Sequence, residues 1–226
     1  MLQAVPIGRI PYQPQLDSML PAVATPASDQ VGHDWRSGLP SLTGALVTLR
    51  EVRPTDAPSL FTALASDQVS GFISPPPASV EGFEKFVAWT HRMREAGQNI
   101  SFAVTPRGSD TAIGLYQVRS LDPGFATAEW GFAIASEFWG TGVFFDGAQL
   151  LLDFVFDVAG VYRLEARATV RNGRGNGALQ KLGAVNEGVL RCSLFRNGEH
   201  LDQTLWTILA DDRREARAVW SGRVIH

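Results

Sequence analysis

Glu137 to Gly160, EFWGTGVFFDGAQLLLDFVFDVAG, joins a glycine-flanked turn directly to a long amphipathic segment. Gly140 and Gly142 let the backbone turn tightly and bring bare N–H groups together. The helix that follows opens its unsatisfied donors and the positive end of its dipole at the same place. The combination predicts a cradle for an anion of the phosphate kind. Within the helix Phe144, Ala148, Leu151, Phe154, Val155 and Val158 recur at spacings of three and four. They form one stripe toward a core, while Asp146, Asp153 and Asp157 fall on the side expected to face water.

The flanks are strands. TAEWGFAIA (Thr127 to Ala135) upstream and YRLEARATV (Tyr162 to Val170) downstream both alternate in character. A dinucleotide fingerprint would need a third glycine at position 145, which is Phe145, and a P-loop would need Gly-Lys-Ser/Thr, which is absent. Further upstream, ISFAVTP (Ile100 to Pro106), a Gly108-Ser109-Asp110 turn and AIGLYQVR (Ala112 to Arg119) read as a hairpin, and Asp122-Pro123-Gly124 turns into the next strand. Val185 to Phe195, an Asn197-Gly198 turn and Gln203 to Leu209 read as another. Antiparallel strands on both sides of the glycine turn separate the chain from a doubly wound parallel fold. The expected class is α+β, a central, mostly antiparallel twisted sheet flanked by helices.

The domain is expected to open with the strand ALVTLREV (Ala45 to Val52), then a helix capped by Thr55 with Leu60, Phe61 and Leu64 as its stripe. Ser74-Pro75-Pro76-Pro77 interrupts it. Ser79 then caps a second helix whose Val80, Phe83, Phe86, Val87 and Met93 mark one face. Residues 1–40, broken by Pro6, Pro11, Pro14, Pro21 and Pro26, read as an extended arm rather than a leader peptide. Leu16, Met19, Leu20, Val23 and Trp35 are able to lie against the domain or a second subunit. Asp211 to Trp220 reads as a polar closing helix, and 212–226 as the tail beyond the domain.

Composition bounds the rest. With 226 residues, 45% hydrophobic and 19% charged, the chain can bury one sizeable core. A net charge of −3 gives no basic field, so nucleic acid is disfavoured as a partner. The lone Cys192 excludes an internal disulfide and any multi-cysteine metal site, and no metal is expected; a reducing cytoplasm is compatible. Asp153 and Asp157 interrupt the longest apolar run, so no membrane span is expected and the protein is read as soluble, a monomer or homodimer.

One continuous block resembles the GNAT N-acyltransferases, specifically the RimJ/RimL-type branch. The residues are Ala128-Glu129-Trp130-Gly131, Trp139-Gly140-Thr141-Gly142, Arg163-Leu164-Glu165-Ala166, Asn172 and Lys181-Leu182-Gly183-Ala184, in the branch's order and spacing. The resemblance covers roughly Leu46 to Asp211 and implies a GNAT domain over 45–211. It also implies acetyl-CoA as co-substrate, with its pyrophosphate on the amides of Gly140, Thr141, Gly142, Val143 and Phe144. Ala133 and Ile134 would pair with the pantetheine arm, and Asn172 would bond the pantetheine or its thioester end. Arg174 would either reach the adenosine phosphate or be solvated. The region around 55–95 and the Val185 to Leu209 hairpin would form the acceptor side.

Acyl transfer by direct attack of an amine on a thioester needs a base, and Glu129 is the candidate. Strand alternation puts Glu129, Gly131 and Ala133 on one face, where the carboxylate shares room with small residues. The alternative is a structural carboxylate. Glu165 alternates with Arg163, Arg167 and Thr169 and reads as part of a solvated, charge-compensated face; His91 reads as a packing or surface residue. Three positions depart from the branch. Phe144 replaces the usual Gly or Ala, so its ring must point away from the cradle. Gly175 and Leu179 stand where the branch usually has Ser or Ala and often Tyr. That leaves the departing thiolate to water, to Tyr116 or to release unprotonated. Arg171-Asn172-Gly173-Arg174-Gly175-Asn176-Gly177 is glycine-heavy, which predicts a helix starting only near Asn176. The reading is an acyl-CoA-dependent N-acyltransferase, transferring acetyl, with succinyl or another acyl group left open, to a primary amine of a small molecule or protein N-terminus. The alternatives are a coenzyme-binding or regulatory module that has lost turnover, or an interaction protein using the arm.

Overall fold

The computed structural model describes residues 34–71, 73–196 and 198–215; the expectations for 1–33 and for 216–220 lie outside them. Eight strands form one sheet: β1 (Leu42–Thr43), β2 (Val47–Glu51), β3 (Asn99–Pro106), β4 (Gly114–Ser120), β5 (Thr127–Ile134), β6 (Arg163–Thr169), β7 (Val185–Arg196) and β8 (Glu199–Leu209). Their order is β1-β2-β3-β4-β5-β6-β8-β7. Every pairing is antiparallel except β5 with β6. That one parallel pair needs a crossover, and α4 (Val143–Asp157) supplies it. The other helices are α1 (Ala57–Leu64), α2 (Asp67–Ser70), α3 (Val80–Glu95) and α5 (Gly173–Lys181).

Two apolar clusters divide between the faces. Trp130 and Ile134 of β5 bury against Leu151, Phe154 and Val155 of α4 and Leu179 of α5. On the opposite face Ala103 and Leu115 meet Leu60 of α1 and Phe83 and Val87 of α3. The central β3 is therefore buried on both sides, while β7 at the edge is largely exposed. Trp35 is buried 5.1 Å from Phe125, within the first of these clusters.

Local chemistry corrects several expected boundaries. Thr55 is not a cap; a 3-10 turn over Pro54–Asp56 precedes α1. Asp56 is buried there because its carboxylate accepts from both terminal nitrogens of Arg50, at 2.8 and 2.7 Å, and from Arg53 N–H at 2.8 Å. Ser79 does cap α3, accepting from Gly82 N–H at 3.1 Å. Asp146 does not simply face water. Its carboxylate accepts the N–H groups of Ala45, Leu46 and Val47 at 3.1, 2.8 and 3.0 Å, pinning the entry of β2 to the first turn of α4. Val158, at the far end of the stripe, is exposed. The helix expected near Asn176 starts at Gly173, because Asn172 is its N-cap and accepts from Gly175 N–H at 2.8 Å. Residues 210–215 are helical.

Candidate active site

β5 and β6 pair over only three positions, Thr127↔Arg163, Ala128↔Leu164 and Glu129↔Glu165. Beyond them β5 stays with β4 to Ile134 and β6 stays with β8 to Thr169, so the two strands part and face each other across a gap with unshared edges. A 3-10 turn, Ser136–Phe138, leads from β5 to Trp139-Gly140-Thr141-Gly142 and α4. Gly140 and Gly142 have φ of +77° and +89°, a region that L side chains rarely enter. The Gly142 carbonyl accepts Asp146 N–H at 3.1 Å. The N–H groups of Val143, Phe144 and Phe145 precede the first residue with an i−4 partner, so they remain as donors at the helix end. The Thr141 hydroxyl turns inward and donates to the Phe138 carbonyl at 2.7 Å.

The Phe144 ring packs 4.6 Å from Phe132 and edge-on to Tyr116, which takes it into the core and away from its own amide. The ring therefore leaves the turn's amides uncovered at a position where the sequence departs from the resembling branch. Ile134 turns its backbone to the gap at the end of β5, with its carbonyl already taken by the Trp139 indole N–H at 2.9 Å, whereas Ala133, opposite Leu115, turns its backbone to β4. Asn172 and Arg174 open α5 on the other side. The Arg174 guanidinium carbon sits 3.7 Å from the Trp139 ring centroid, a cation–π contact that ties the start of α5 to the start of the glycine turn. Of the residues expected at a coenzyme site, Ile134, the glycine turn and the start of α5 lie around the parting of β5 and β6, while the Thr141 N–H is directed at the Phe138 carbonyl at 3.5 Å.

Glu129 is held on the opposite face from α4. Its Oε2 accepts from Arg119 at 2.5 Å and lies 3.6 Å from an Arg167 terminal nitrogen, whereas Oε1 has no hydrogen bond among the described residues. Glu165 accepts from Arg163 Nε at 2.9 Å, and Arg163 also grips Glu187 through both terminal nitrogens at 2.8 and 2.6 Å. That fork, with the Thr207 hydroxyl, holds the Glu187 carboxyl down at about 2. The face is charge-compensated as expected, but its centre is not solvated: the Glu129 and Glu165 side chains are 18% and 13% exposed. Arg119 was missed at the sequence level because its place beside Glu129 follows from the β4–β5 register, Arg119↔Glu129.

The remaining candidates have structural employment. His91 Nε2 meets the Val52 carbonyl at 2.7 Å. Tyr116 is buried, its phenol is pushed far up by desolvation, and its hydroxyl donates to the Phe144 carbonyl at 2.9 Å on the α4 face; it is not placed to protonate a thiolate. Gly175 is explained by the Asn172 cap, since a Cβ there would stand 2.5 Å from the Asn172 amide nitrogen. Leu179 is core. Asn176, which no motif pointed to, donates to the Thr169 carbonyl and accepts from the Trp206 indole, each within 2.9 Å, fastening α5 to β6 and β8. On the outer wall Arg196 of β7 donates to the carbonyls of Ile73 and Ser70 at 2.9 and 2.6 Å, so the β7–β8 hairpin closes against the loop after α2.

Residues 47–185 match the family described as acetyltransferase (GNAT) domain. The uncharacterized N-acetyltransferase YoaA of Bacillus subtilis is 24% identical over 171 residues, 75% of this chain and 97% of that protein. The structure of Mycobacterium smegmatis RimJ in complex with CoA-disulfide superposes with a TM-score of 0.68 at 22% identity, covering 81% of this chain and 94% of that one. The ribosomal-protein-S5-alanine acetyltransferase of Vibrio fischeri gives 0.67 at 20% identity, covering 76% and 97%.

Proposed function

Because the chain belongs to the GNAT acetyltransferase family, we propose that it transfers an acetyl group from acetyl-CoA to a primary amine, on a small molecule or a protein N-terminus, by direct attack. The observation that carries this reading is the coincidence of two features at one gap. A helix N-terminus turned by two left-handed glycines stands at the end of β5, and β5 itself parts from β6 and leaves an extended edge unshared. The first suits a pyrophosphate, and the second suits the amide-bearing pantetheine chain. The amides of Gly140, Gly142, Val143 and Phe144 would face the phosphates, Ile134 the pantetheine, and Asn172 and Arg174 the opposite flank.

In this reading the amine nitrogen attacks the thioester carbonyl, the C–S bond breaks and coenzyme A leaves as thiolate. Glu129 takes the ammonium proton through Oε1, directly or by one water, while Arg119 fixes Oε2. Solvent protonates the thiolate, since Tyr116 is turned away. A second reading, a coenzyme-binding module with weak turnover, is favoured by one observation: no hydroxyl stands at 175 or 179, where Gly175 and Leu179 are packed. Calorimetric titration with acetyl-CoA followed by thiol release against a panel of amines decides. Binding with turnover is expected, binding without release of thiol on any amine selects the second reading, and no binding refutes both.

A further inference from the structure

At the point where β5 and β6 part, one guanidinium has no hydrogen-bonding partner among the described residues. Three arginines and three glutamates share this face, but their contacts are unequal. Arg163 commits Nε to Glu165 and both terminal nitrogens to Glu187, and Arg119 donates to Glu129 at 2.5 Å. The Arg167 guanidinium makes no hydrogen bond among the described residues. Its nearest carboxylate oxygens, on Glu129 and Glu165, are both 3.6 Å away, and each of those carboxylates has a shorter bond from another arginine. The Arg167 side chain is 34% exposed, so its fork of planar donors is open to a ligand.

Its position matters as much as its vacancy. Arg167 stands one pleat past the last β5–β6 pair, and Gly131 stands one pleat past it on β5. Gly131 is exposed, and a Cβ there would meet nothing within 4 Å, so there is room beside the guanidinium. The open oxygen of Glu129 is on the same carboxylate that Arg167 approaches. An acceptor placed there meets a carboxylate for its ammonium and, within a few ångströms, a guanidinium for an anion. Polyamines would set a second cation against Arg167, and a peptide N-terminus would offer it only a neutral carbonyl.

Resting on the acetyl-transfer reading above, we infer that Arg167 selects acceptors that carry a carboxylate one or two carbons from the amine, so that the substrate class is short amino acids. A guanidinium and a carboxylate match as a bidentate pair, and a site built to bond such a group discriminates strongly against the analogue that lacks it. The face sets three arginines against three glutamates, so the selectivity comes from the directed donors of Arg167 rather than from surplus positive charge.

The test uses the full chain with acetyl-CoA and a thiol-release readout, offering the common amino acids and β-alanine, each beside its own carboxamide. Wild type should prefer at least one acid over its amide by tenfold or more in kcat/KM. Arg167→Gln should lower that acid by about ten- to a hundredfold, chiefly through KM, and change the amide by less than about threefold. Arg167→Lys, which keeps the charge and loses the fork, should fall between. Acetyl-CoA affinity should be unchanged in both variants, which also verifies their folding. Equal use of acid and amide by wild type, or equal losses on both in Arg167→Gln, overturns the inference. Should acetyl-CoA bind while no amine is acetylated, the transfer reading fails by itself. Titrating the same acids and amides into the coenzyme A complex then decides: acid-selective binding lost in Arg167→Gln supports the role of Arg167, and no acid preference refutes it.

Discussion

Gly142→Asp should separate the stability of α4 from the affinity of its N-terminus, because the two effects have opposite signs. Gly142 is the N-cap of α4 with φ of +89°, and a Cβ built there stands 3.1 Å from Leu46 Cδ1. Any side chain therefore brings about 1–2 kcal/mol of left-handed strain and a small shift of a flexible leucine methyl; asparagine and aspartate tolerate that region best. The control is Gly142→Asn, which has the same shape without the charge. A carboxylate at a helix N-terminus gains about 0.3–1 kcal/mol from the dipole, so Gly142→Asp should unfold no more easily than Gly142→Asn. A bound pyrophosphate reverses the sign. At a separation of about 5 Å and an effective dielectric of about 20, each unit of like charge costs about 3 kcal/mol. Screening by salt removes part of this, which leaves about a 30- to 100-fold loss of acetyl-CoA affinity relative to Gly142→Asn. Calorimetric titration and thermal unfolding read the two quantities independently. If the Asp and Asn variants bind acetyl-CoA within threefold of one another, the phosphates do not lie at this helix end.

Glu129→Gln should leave acetyl-CoA affinity within about threefold and slow turnover by roughly 10²–10⁴, the deficit shrinking as pH approaches the acceptor's own pKa; normal turnover at neutral pH would make Glu129 structural. Glu187 is held at about 2 against an ordinary 4.5, so its contribution to stability is fully present above about pH 4.5 and is lost as pH falls through 2. The urea midpoint of Glu187→Gln should accordingly fall less than that of wild type over this window, and parallel acid limbs would show that the Arg163 fork contributes nothing. Gly147→Ala places a Cβ 2.9 Å from Tyr116 Cε2, in a core where the ring has nowhere to move. A loss of about 1–3 kcal/mol by denaturant unfolding is expected from overpacking, and an unchanged midpoint would contradict the tight α4–β4 contact.

What the sequence shows is what depends on neighbours along the chain. The stripe of α4 up to Val155, the hairpins, the Ser79 cap and the two faces of β5 are local in the chain, and all are present. What it hides depends on partners far away. Asp146 has the helical phase of a solvated residue, yet its carboxylate closes three backbone donors about a hundred positions earlier. The glycines after Asn172 suggest a late helix start by propensity alone, and the cap outweighs them because one side chain satisfies an N–H that would otherwise be orphaned. Whether Glu129 is isolated or flanked by Arg119 and Arg167 depends on the pairing of β4, β5 and β6. No periodicity within β5 could reveal that.

The open gap between β5 and β6 is itself a problem that the fold has to solve. Two strand edges left apart in the middle of a sheet forgo backbone hydrogen bonds, and nothing in a parallel pair prevents it from closing up by further residues. Here closure is opposed from both flanks. β6 is committed along all seven residues to β8, and α5 is fastened to the same strands through Asn176 and Trp206, so the β6 side is fixed independently of β5. β5 is committed to β4 along its length, and the Trp139 indole takes the Ile134 carbonyl at its end. Aromatic rings of Phe132, Phe144 and Trp130 fill the core on the α4 side of the parting, while Gly131 leaves the other side empty. The gap is therefore a consequence of where each strand's stronger partner lies. A ligand entering it would complete hydrogen bonding that the chain leaves unfinished, without first having to break a pairing.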